Sequence, residues 1–304
     1  MHIIIATGEP LGAYHLYPLI NPAKTSNNLF THLIPYPEPV QGQAWPNTTH
    51  DPYIIKSADK VVITGGGFTA WTSLVASYAL ANNKTLIMTE LALGAKPDNK
   101  THPLPNHFSA LSSASAQLMA QYHNIPLSKI TVTGTPLLDD IRPSEVVPNT
   151  ALILSSVSRP EHDPENLVLQ SYNFLQSMGY KVKVRPHPRE IISDIHFLEL
   201  DRSPTLLKEA SSASLILAYP GTPLPILAAL KKPVILITPN EYFEQSLPAY
   251  ITKDFTTRLS NIKQLPDLIN TVKPLTYEKT QLLTGPLGLA ANRVINFWEN
   301  ATDL

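Results

Sequence analysis

The chain contains no cysteine, and this absence removes several classes of site at once. Without a thiol there can be no disulfide, no thiolate nucleophile and no zinc site built on cysteine. Charged residues are also scarce, at 15% of the chain against about 25% in an average protein. The net charge of -1 gives no electrostatic basis for binding nucleic acid or an anionic membrane.

Long apolar segments and targeting signals are missing as well. No run of about 18 apolar residues occurs without an interrupting proline, glycine or lysine, so we expect no transmembrane helix. The first ten residues have no basic segment and only a short apolar one, which is not typical of a signal peptide. We therefore expect a soluble, cytoplasmic protein, and the sequence leaves open whether its surface attaches to a membrane.

The pattern along the chain predicts an α/β protein with two lobes. The 304 residues, 43% of them hydrophobic, suffice for two domains with buried cores. Short β-branched segments alternate with longer amphipathic ones, and the series starts again after residues 142–150, which contain two prolines and no periodicity. Such alternation predicts Rossmann-like lobes with parallel sheets. We place the first lobe at 1–143, the second at 150–284 and a closing helical segment at 285–304.

The individual elements follow from the same pattern. Strands are predicted at 2–6, 28–37, 60–64, 84–88, 129–134, 151–156, 180–188, 215–221 and 233–238. Helices are predicted at 69–81, 107–124, 164–179, 203–213, 223–232 and 288–301, and residues 38–53 are predicted to be loop. Ligands of such lobes bind beyond the carboxyl ends of the strands, so we expect binding sites in the loops there.

One predicted strand ends in Arg185-Pro186-His187-Pro188-Arg189. Proline fixes its own φ near -65° and holds the preceding residue extended. Arg185 and His187 each precede a proline, so their directions are restricted before any ligand binds. Guanidinium and imidazole donors suit a phosphate or diphosphate. An ordinary proline-rich turn with solvated arginines explains the same pattern.

A second candidate lies in Pro220-Gly221-Thr222-Pro223, between the strand 215–219 and the next helix. A helix N-terminus has free N–H groups and a partial positive charge. Pro223 suits the first helical position, Thr222 can cap the helix, and Gly221 permits close approach of a ligand to the backbone. The pattern predicts an anion-binding turn, and simple helix capping is the alternative.

The first lobe has a glycine turn at the end of the strand 60–64. Gly65, Gly66 and Gly67 lead through Thr69 into a helix, so a ligand can approach this backbone closely. A flexible turn would have the same composition.

Acidic residues and histidines also follow strands of this lobe. Glu9, next to Gly8, and Glu90 each come after a predicted strand and are candidates for a general base, and His15 lies nearby in the sequence. Each could equally be a solvated loop residue. No H-E-x-x-H, G-x-S-x-G or Walker A motif occurs, and the first turn has only Gly8 and Gly12 rather than G-x-G-x-x-G.

Five segments occur in an order found in a known superfamily. They are the strand, turn and helix of 1–20, the segment 109–141 with Val-Thr-Gly-x-Pro-x-x-Asp at 132–139, the pair His187-Pro188, the strand, turn and helix of 206–237, and the closing helix 285–298. In this order the chain resembles the GT-B glycosyltransferase superfamily, including the UDP-N-acetylglucosamine 2-epimerases and the CDP-glycerol-type polymer transferases. The His-Pro pair is also similar to that of bacterial sialyl and Kdo transferases.

The resemblance implies two Rossmann-like lobes and a C-terminal helix that crosses back to the first lobe. It implies metal-independent transfer of a sugar from a nucleotide sugar, which is a substrate, so no cofactor is expected. In the superfamily the histidine of the His-Pro pair contacts the donor's phosphate. Arg185, His187, Arg189, Gly221 and Thr222 would therefore surround the donor's phosphates.

The acceptor side follows from the same resemblance. A glycan or lipid-linked acceptor would lie against the first lobe, as in bacterial polysaccharide biosynthesis, and Glu90, or failing that Glu9, would take the proton of its hydroxyl. The residues expected near this acceptor are Gly8, His15, Gly65, Gly66, Gly67 and Thr69. Nothing in the sequence indicates an oligomeric state.

The chain also departs from the superfamily's pattern. Many relatives carry a glutamate for the ribose hydroxyls on the donor helix, where this chain has Pro225 and Ile226. The Trp-His-Gly-Thr motif of CDP-glycerol transferases is absent. Two alternatives therefore stay open: a sialyl, Kdo or glycerophosphate transferase using a CMP or CDP donor, and a non-catalytic protein that binds a nucleotide or a partner.

Overall fold

The computed structural model describes residues 1–8, 16–35, 45, 47–65, 70–90, 103–142, 145–155, 163, 165–187, 199–201, 206–221, 223–241, 243 and 254–302. Contacts divide the chain into two compact units. One comprises Met1–Asp140 and Gln281–Leu304, and the other comprises Ile141–Thr280.

The first unit is built on a parallel sheet of seven described strands. These are β1 (His2–Thr7), β2 (Leu29–Leu33), β3 (Thr48–Thr49), β4 (Lys60–Gly65), β5 (Thr85–Glu90), β6 (His107–Ala110) and β7 (Ile130–Val132). They lie in the order β3-β2-β1-β4-β5-β6-β7, and each neighbouring pair is parallel. All carboxyl ends therefore meet at one edge of the sheet.

The second unit repeats the arrangement with five described strands. These are β8 (Thr150–Leu154), β9 (Lys181–Arg185), β10 (Leu215–Ala218), β11 (Val234–Ile237) and β12 (Arg258–Leu259). Their order is β12-β11-β10-β8-β9, again parallel throughout. Each unit is thus a Rossmann-like α/β lobe, and the predicted fold class is confirmed.

Helices cover the sheets. In chain order the α-helices of the described residues are α1 (Ile20–Thr25), α2 (Ala70–Ala81), α3 (Ser113–His123), α4 (Leu167–Ser177), α5 (Leu206–Ser212), α6 (Leu224–Ala229), α7 (Leu265–Thr271), α8 (Tyr277–Thr284) and α9 (Ala290–Asn300). Successive residues of β1 point to opposite faces. Ile4 therefore packs with α2 and α3, while Ile3 and Ile5 pack with α1 and α9.

The C-terminal helix α9 belongs to the first unit and packs on its sheet. It buries five residues at helical spacing, Ala290, Ala291, Val294, Ile295 and Trp298. Trp298 Nε1 donates to Thr89 Oγ1 over 2.7 Å. Lys60 Nζ donates to the carbonyls of Trp298 at 3.0 Å and Glu299 at 2.6 Å, and so satisfies groups that a helix end leaves open. The predicted return of this helix to the first lobe is confirmed.

Two local predictions were wrong. The sequence predicts a single helix over residues 107–124. In the structure, His107–Ala110 is the strand β6 and the helix starts only after Ser112. The Ser112 side chain accepts the Ser115 N–H at 3.1 Å and caps α3, a start signal that the apolar run before it obscured. The predicted loop 38–53 contains β3, whose two residues gain their pairing from β2 rather than from local propensity.

Candidate functional site

Three residues singled out in the sequence lie at the carboxyl edge of the first sheet. Gly65 ends β4 and is paired in register with Glu90, which ends β5. Gly8 directly follows β1, the neighbour of β4 on its other side. Adjacent parallel strands thus bring Gly8, Gly65 and Glu90 to one edge. Glu9, His15, Gly66, Gly67 and Thr69 lie outside the described residues.

Glu90 is a buried carboxyl group in contact with the start of α3. It is only 5% exposed. Its Oε2 accepts the Leu111 backbone N–H at 3.2 Å and also the Ser115 hydroxyl. Burial raises the pKa of Glu90 to about 7, and the hydrogen bonds from Ser115 and Leu111 act in the opposite direction. A carboxyl group with this pKa can exchange a proton at neutral pH.

His32 is a buried titratable side chain at the same end of the sheet, and the sequence reasoning missed it. It lies on β2 and is 2% exposed. Its Nε2 lies 2.8 Å from the hydroxyl oxygen of Thr7 on β1. Burial lowers the pKa of His32 to about 4, so the ring is neutral at pH 7. The available signal was a histidine inside the apolar strand Leu-Phe-Thr-His-Leu.

Glu90 and His32 change stability with pH in opposite senses. The pKa of Glu90 is raised from 4.5 to about 7. Its contribution to the free energy of unfolding is therefore fully present below pH 4.5 and is lost as the pH rises through 7. The pKa of His32 is lowered from 6.5 to about 4, so its contribution is present above pH 6.5 and is lost as the pH falls through 4. The two trends offset each other where they overlap.

Replacing Glu90 with glutamine should separate the two trends. The variant lacks the titration of Glu90, so its free energy of unfolding relative to wild type should rise by about 3 kcal/mol between pH 4.5 and pH 7. Urea unfolding at several pH values measures this difference. Glu278→Gln, the same change at an exposed position, should run parallel to wild type. Parallel curves for Glu90→Gln would contradict a raised pKa at Glu90.

At the carboxyl edge of the second sheet, Arg185 is held by an ion pair. Its Nη1 lies 2.6 Å from Oδ2 of the buried Asp201. The Asp201 backbone N–H donates to the Val184 carbonyl at 2.7 Å, which fixes the carboxylate beside β9. His187 follows two residues later and is half-buried. Arg189 lies outside the described residues.

Gly221 lies two strands away along the same edge. β8 separates β9 from β10, and Tyr219 and Pro220 connect β10 to Gly221. The Gly221 carbonyl accepts the Leu224 N–H at 3.2 Å. A Cβ at Gly221 would lie 3.2 Å from Pro223 Cδ, so a larger residue is accommodated only if the turn adjusts.

The predicted start of α6 was one residue early. Pro223 is the N-cap and the helix begins at Leu224, because the Pro223 carbonyl already accepts the Leu227 N–H at 3.1 Å. Among the described residues no side chain caps this end, and the first turn has no acidic residue. Thr222, the predicted cap, lies outside the described residues.

Comparison with solved structures decides the fold family. UDP-GlcNAc 2-epimerase from Methanocaldococcus jannaschii aligns with a TM-score of 0.64 and 16% identity, covering 99% of this chain and 100% of that one. MurG from Acinetobacter baumannii aligns with a TM-score of 0.62 and 13% identity, covering 99% of both chains. A variant of the wall teichoic acid polymerase TagF aligns with a TM-score of 0.59 and 12% identity, covering 98% of this chain and 88% of that one. The chain has the GT-B fold.

The GT-B assignment rests on structure, since no protein-family model and no curated protein matches the chain by sequence. In the described part of the chain, no helix combines the length and apolar character needed to cross a membrane. The same residues contain no group of three or more histidine, aspartate or glutamate side chains placed to hold a metal ion.

In this GT-B chain the Val-Thr-Gly-x-Pro-x-x-Asp turn binds the closing segment. Asp139 accepts the first two backbone N–H groups of α9, from Ala290 at 2.8 Å and Ala291 at 2.7 Å. A carboxylate there satisfies free N–H groups and complements the helix dipole. The Thr135 hydroxyl donates to the Thr284 carbonyl at 2.9 Å.

Arg293 of α9 completes this attachment. Its guanidinium donates to the carbonyls of Thr133 at 2.7 Å, Gly288 at 2.7 Å and Pro286 at 2.6 Å. The turn that resembled a superfamily motif is therefore a structural connection between β7 and α9.

Proposed function

We propose that the protein is a nucleotide-sugar-dependent glycosyltransferase. The observation that carries the proposal is a likeness over 99% of the chain to an epimerase that was solved in complex with UDP-GlcNAc and UDP, at a TM-score of 0.64. The likeness to MurG and TagF supports transfer as the reaction class. At 11–16% identity the likeness itself shows only the fold. The reaction is therefore assigned from the residues at the carboxyl ends of the strands.

The donor's phosphates are assigned to the carboxyl edge of the second sheet. Arg185, His187 and the backbone at Gly221 lie at the ends of β9 and β10, and Arg189 and Thr222 complete the proposed set. Because Arg185 already pairs with Asp201, its charge is partly neutralised. Arg189 would then supply most of the positive charge that offsets the departing nucleotide, and the imidazole of His187 would donate a hydrogen bond to it.

The acceptor is assigned to the carboxyl edge of the first sheet, with Glu90 as the general base. Its pKa of about 7 suits proton transfer at neutral pH. In the reaction, the Glu90 carboxylate takes the proton of the acceptor hydroxyl. The hydroxyl oxygen bonds to the anomeric carbon, and the bond from that carbon to the phosphate oxygen breaks. The nucleotide leaves with the electron pair of the broken bond.

A second candidate is epimerisation of a nucleotide sugar at C2. Two UDP-GlcNAc 2-epimerases, from M. jannaschii and a putative one from Listeria monocytogenes, align with TM-scores of 0.64 and 0.66. Incubation with UDP-GlcNAc alone separates the two reactions, because an epimerase inverts C2 without an acceptor. A transferase would leave the C2 configuration intact and would form a glycoside only when an acceptor is present.

Binding of nucleotides tests the donor site. A ligand at about 100 times its Kd should raise the free energy of unfolding by roughly 2.7 kcal/mol. We expect this stabilisation, measured as a rise in Tm, from at least one of UDP, CDP, CMP and GDP. It should be lost in His187→Ala and kept in His50→Ala, the same substitution at an exposed position of the first unit.

Each outcome of this panel of four nucleotides favours or excludes one of the candidate functions. A response to CMP or CDP alone would favour the sialyl, Kdo or glycerophosphate alternative. Binding without turnover of any nucleotide sugar would favour the non-catalytic alternative. If no nucleotide changes the Tm of wild type, the proposed function is wrong.

A further inference from the structure

Helix α8 is one continuous element that belongs to both units. It runs from Tyr277 to Thr284, whereas the second unit ends at Thr280 and the first resumes at Gln281. Hydrogen bonds between residues four apart join the two halves of a helix. The last of them here is the bond from the Gly285 N–H to the Gln281 carbonyl, at 2.9 Å. A displacement of the first half of α8 is therefore passed on to its second half.

The first half of α8 is attached to the second unit. Lys279 Nζ lies 3.1 Å from Oδ1 of Asp254, and Thr280 is buried. Asp254 lies on the connection from β11 to β12, which leaves the sheet at its carboxyl edge because the two strands are parallel. That edge is the proposed donor site. A nucleotide that changes the position of this connection would thus act on α8 directly.

The second half of α8 ends against the backbone that holds Glu90. The Thr284 carbonyl accepts the Thr135 hydroxyl at 2.9 Å. Gly285 follows, and its backbone approaches the carbonyl of the buried Leu111 so closely that no Cβ fits between them. Leu111 in turn donates its N–H to Oε2 of Glu90 at 3.2 Å. One residue therefore contacts both the end of α8 and the proposed base.

The bond from Leu111 to Glu90 has room to strengthen. A distance of 3.2 Å is at the long end of the normal range for N–H donors. This bond stabilises the carboxylate and so lowers the pKa of Glu90. A small shift of Leu111 toward Glu90 would therefore favour loss of the proton.

No charged side chain competes with this effect in the described part of the chain. Burial, the Ser115 hydroxyl and the Leu111 N–H set the pKa of Glu90. The titratable and charged side chains of the elements packed around β5 lie toward the far ends of those elements or are bonded elsewhere. They are Lys60 on β4, Tyr78 on α2, His107 on β6, Tyr122 and His123 on α3, and Arg293 and Glu299 on α9.

We propose that binding of a nucleotide to the second unit is linked, through α8 and Leu111, to release of the proton from Glu90. The inference rests on the proposed function, because it needs both the donor site and Glu90 as the base. The base would then be ready to accept a proton when the donor is bound. Linkage is reciprocal, so loss of the proton from Glu90 should tighten nucleotide binding by the same factor.

Calorimetric titration of the full chain with UDP and CDP at pH 5.5 and pH 8.5 tests the proposal. The terminal phosphate of the nucleotide and His187 also titrate, so wild type is compared with Glu90→Gln, which shares both groups. From the lower to the higher pH, wild type should gain about 3- to 10-fold more affinity than Glu90→Gln. An equal gain in the two proteins, or a smaller one in wild type, would overturn the proposal.

Two substitutions of one residue test the route through α8. Leu282 lies in the second half of the helix and is 44% exposed. Leu282→Gly and Leu282→Ala remove the same side chain, but glycine loosens the helix whereas alanine keeps it stiff. The excess gain over Glu90→Gln should shrink at least several-fold in the glycine variant and persist in the alanine variant. An undiminished excess in Leu282→Gly would exclude α8 as the connection.

The Tm of each variant without ligand shows whether it is folded. If Leu282→Gly is unfolded, Thr135→Val takes its place, because it removes the hydrogen bond to Thr284 and leaves the sequence of the helix unchanged. The outcomes also separate this inference from the proposed function. If wild type binds no nucleotide, both are wrong. If it binds UDP or CDP with the same pH dependence as Glu90→Gln, only the linkage is wrong.

Discussion

Turnover of the nucleotide-sugar donor should fall about 10²- to 10⁴-fold when Glu90 is replaced by glutamine, because the amide cannot take a proton from the acceptor. Glutamine keeps the size of the side chain and an oxygen that can accept from Leu111 and Ser115. The loss should therefore appear in kcat, with little change in the Kd of the nucleotide. Steady-state kinetics with the donor identified by the binding panel measures it, and Glu278→Gln serves as the matched control.

The pH profile identifies Glu90 more specifically. Wild-type kcat should rise as the pH passes through about 7, where Glu90 loses its proton. The hydrogen bond from Ser115 lowers the pKa of Glu90, so Ser115→Ala should move the midpoint of the profile to higher pH. Unchanged turnover in Glu90→Gln would limit Glu90 to its structural contact with α3 and remove it as the base.

Replacing Gly285 with alanine should cost the first unit about 3–5 kcal/mol of stability, because two unfavourable effects combine at this position. Gly285 has φ of +69°, a conformation that side chains other than glycine's rarely adopt. A Cβ there would also lie 2.0 Å from the Leu111 carbonyl oxygen and 3.0 Å from Gly134 Cα. Both neighbours are backbone, so neither can turn aside.

Gly288→Ala separates the two effects. Gly288 has φ of +72°, but nothing lies within 4 Å of where its Cβ would be. It should therefore show only the conformational cost of about 1 kcal/mol. Urea unfolding of the two variants measures the difference. Equal losses would mean that the backbone at Gly285 does not approach Leu111 closely.

The contact between Gly285 and Leu111 also affects Glu90, the proposed base. The carbonyl of Leu111 faces Gly285, and its N–H donates to Glu90. A shift of Leu111 to relieve the clash would alter the bond that lowers the pKa of Glu90. Gly285→Ala should thus change the pH profile as well as the stability, whereas Gly288→Ala should leave the profile unchanged.

Local sequence predicted correctly those elements whose structure depends mainly on their own residues. The run Ile3–Ile5 predicts a strand buried on both faces, and β1 is an interior strand that lies between β2 and β4. The placement of Glu90 and Gly65 at strand ends was also predictable, because turn residues follow β-branched runs. The short strands β3 and β6 were not, since they depend on pairing with neighbours distant in sequence.

Side-chain partners were the part that local sequence could not supply. Arg185 looked free to bind a phosphate, yet it pairs with Asp201, 16 residues later in the chain. Asp139 stood out only as part of a turn shared with the superfamily, yet it caps α9 from 151 residues away.

The sequence by itself determined the α/β class, the two successive lobes and the strand ends at which chemistry could occur, because hydrophobic periodicity and turn residues act over a few neighbouring positions. Only the tertiary structure decided which charges are paired, which carboxyl group is buried enough for a pKa near 7, and how the closing helix is attached. Those properties arise from burial and from contacts between distant segments. For Arg185-Pro-His187, the sequence indicated a rigid cationic strand end, and the fold placed it on the edge shared with Gly221 and beside the ion pair with Asp201.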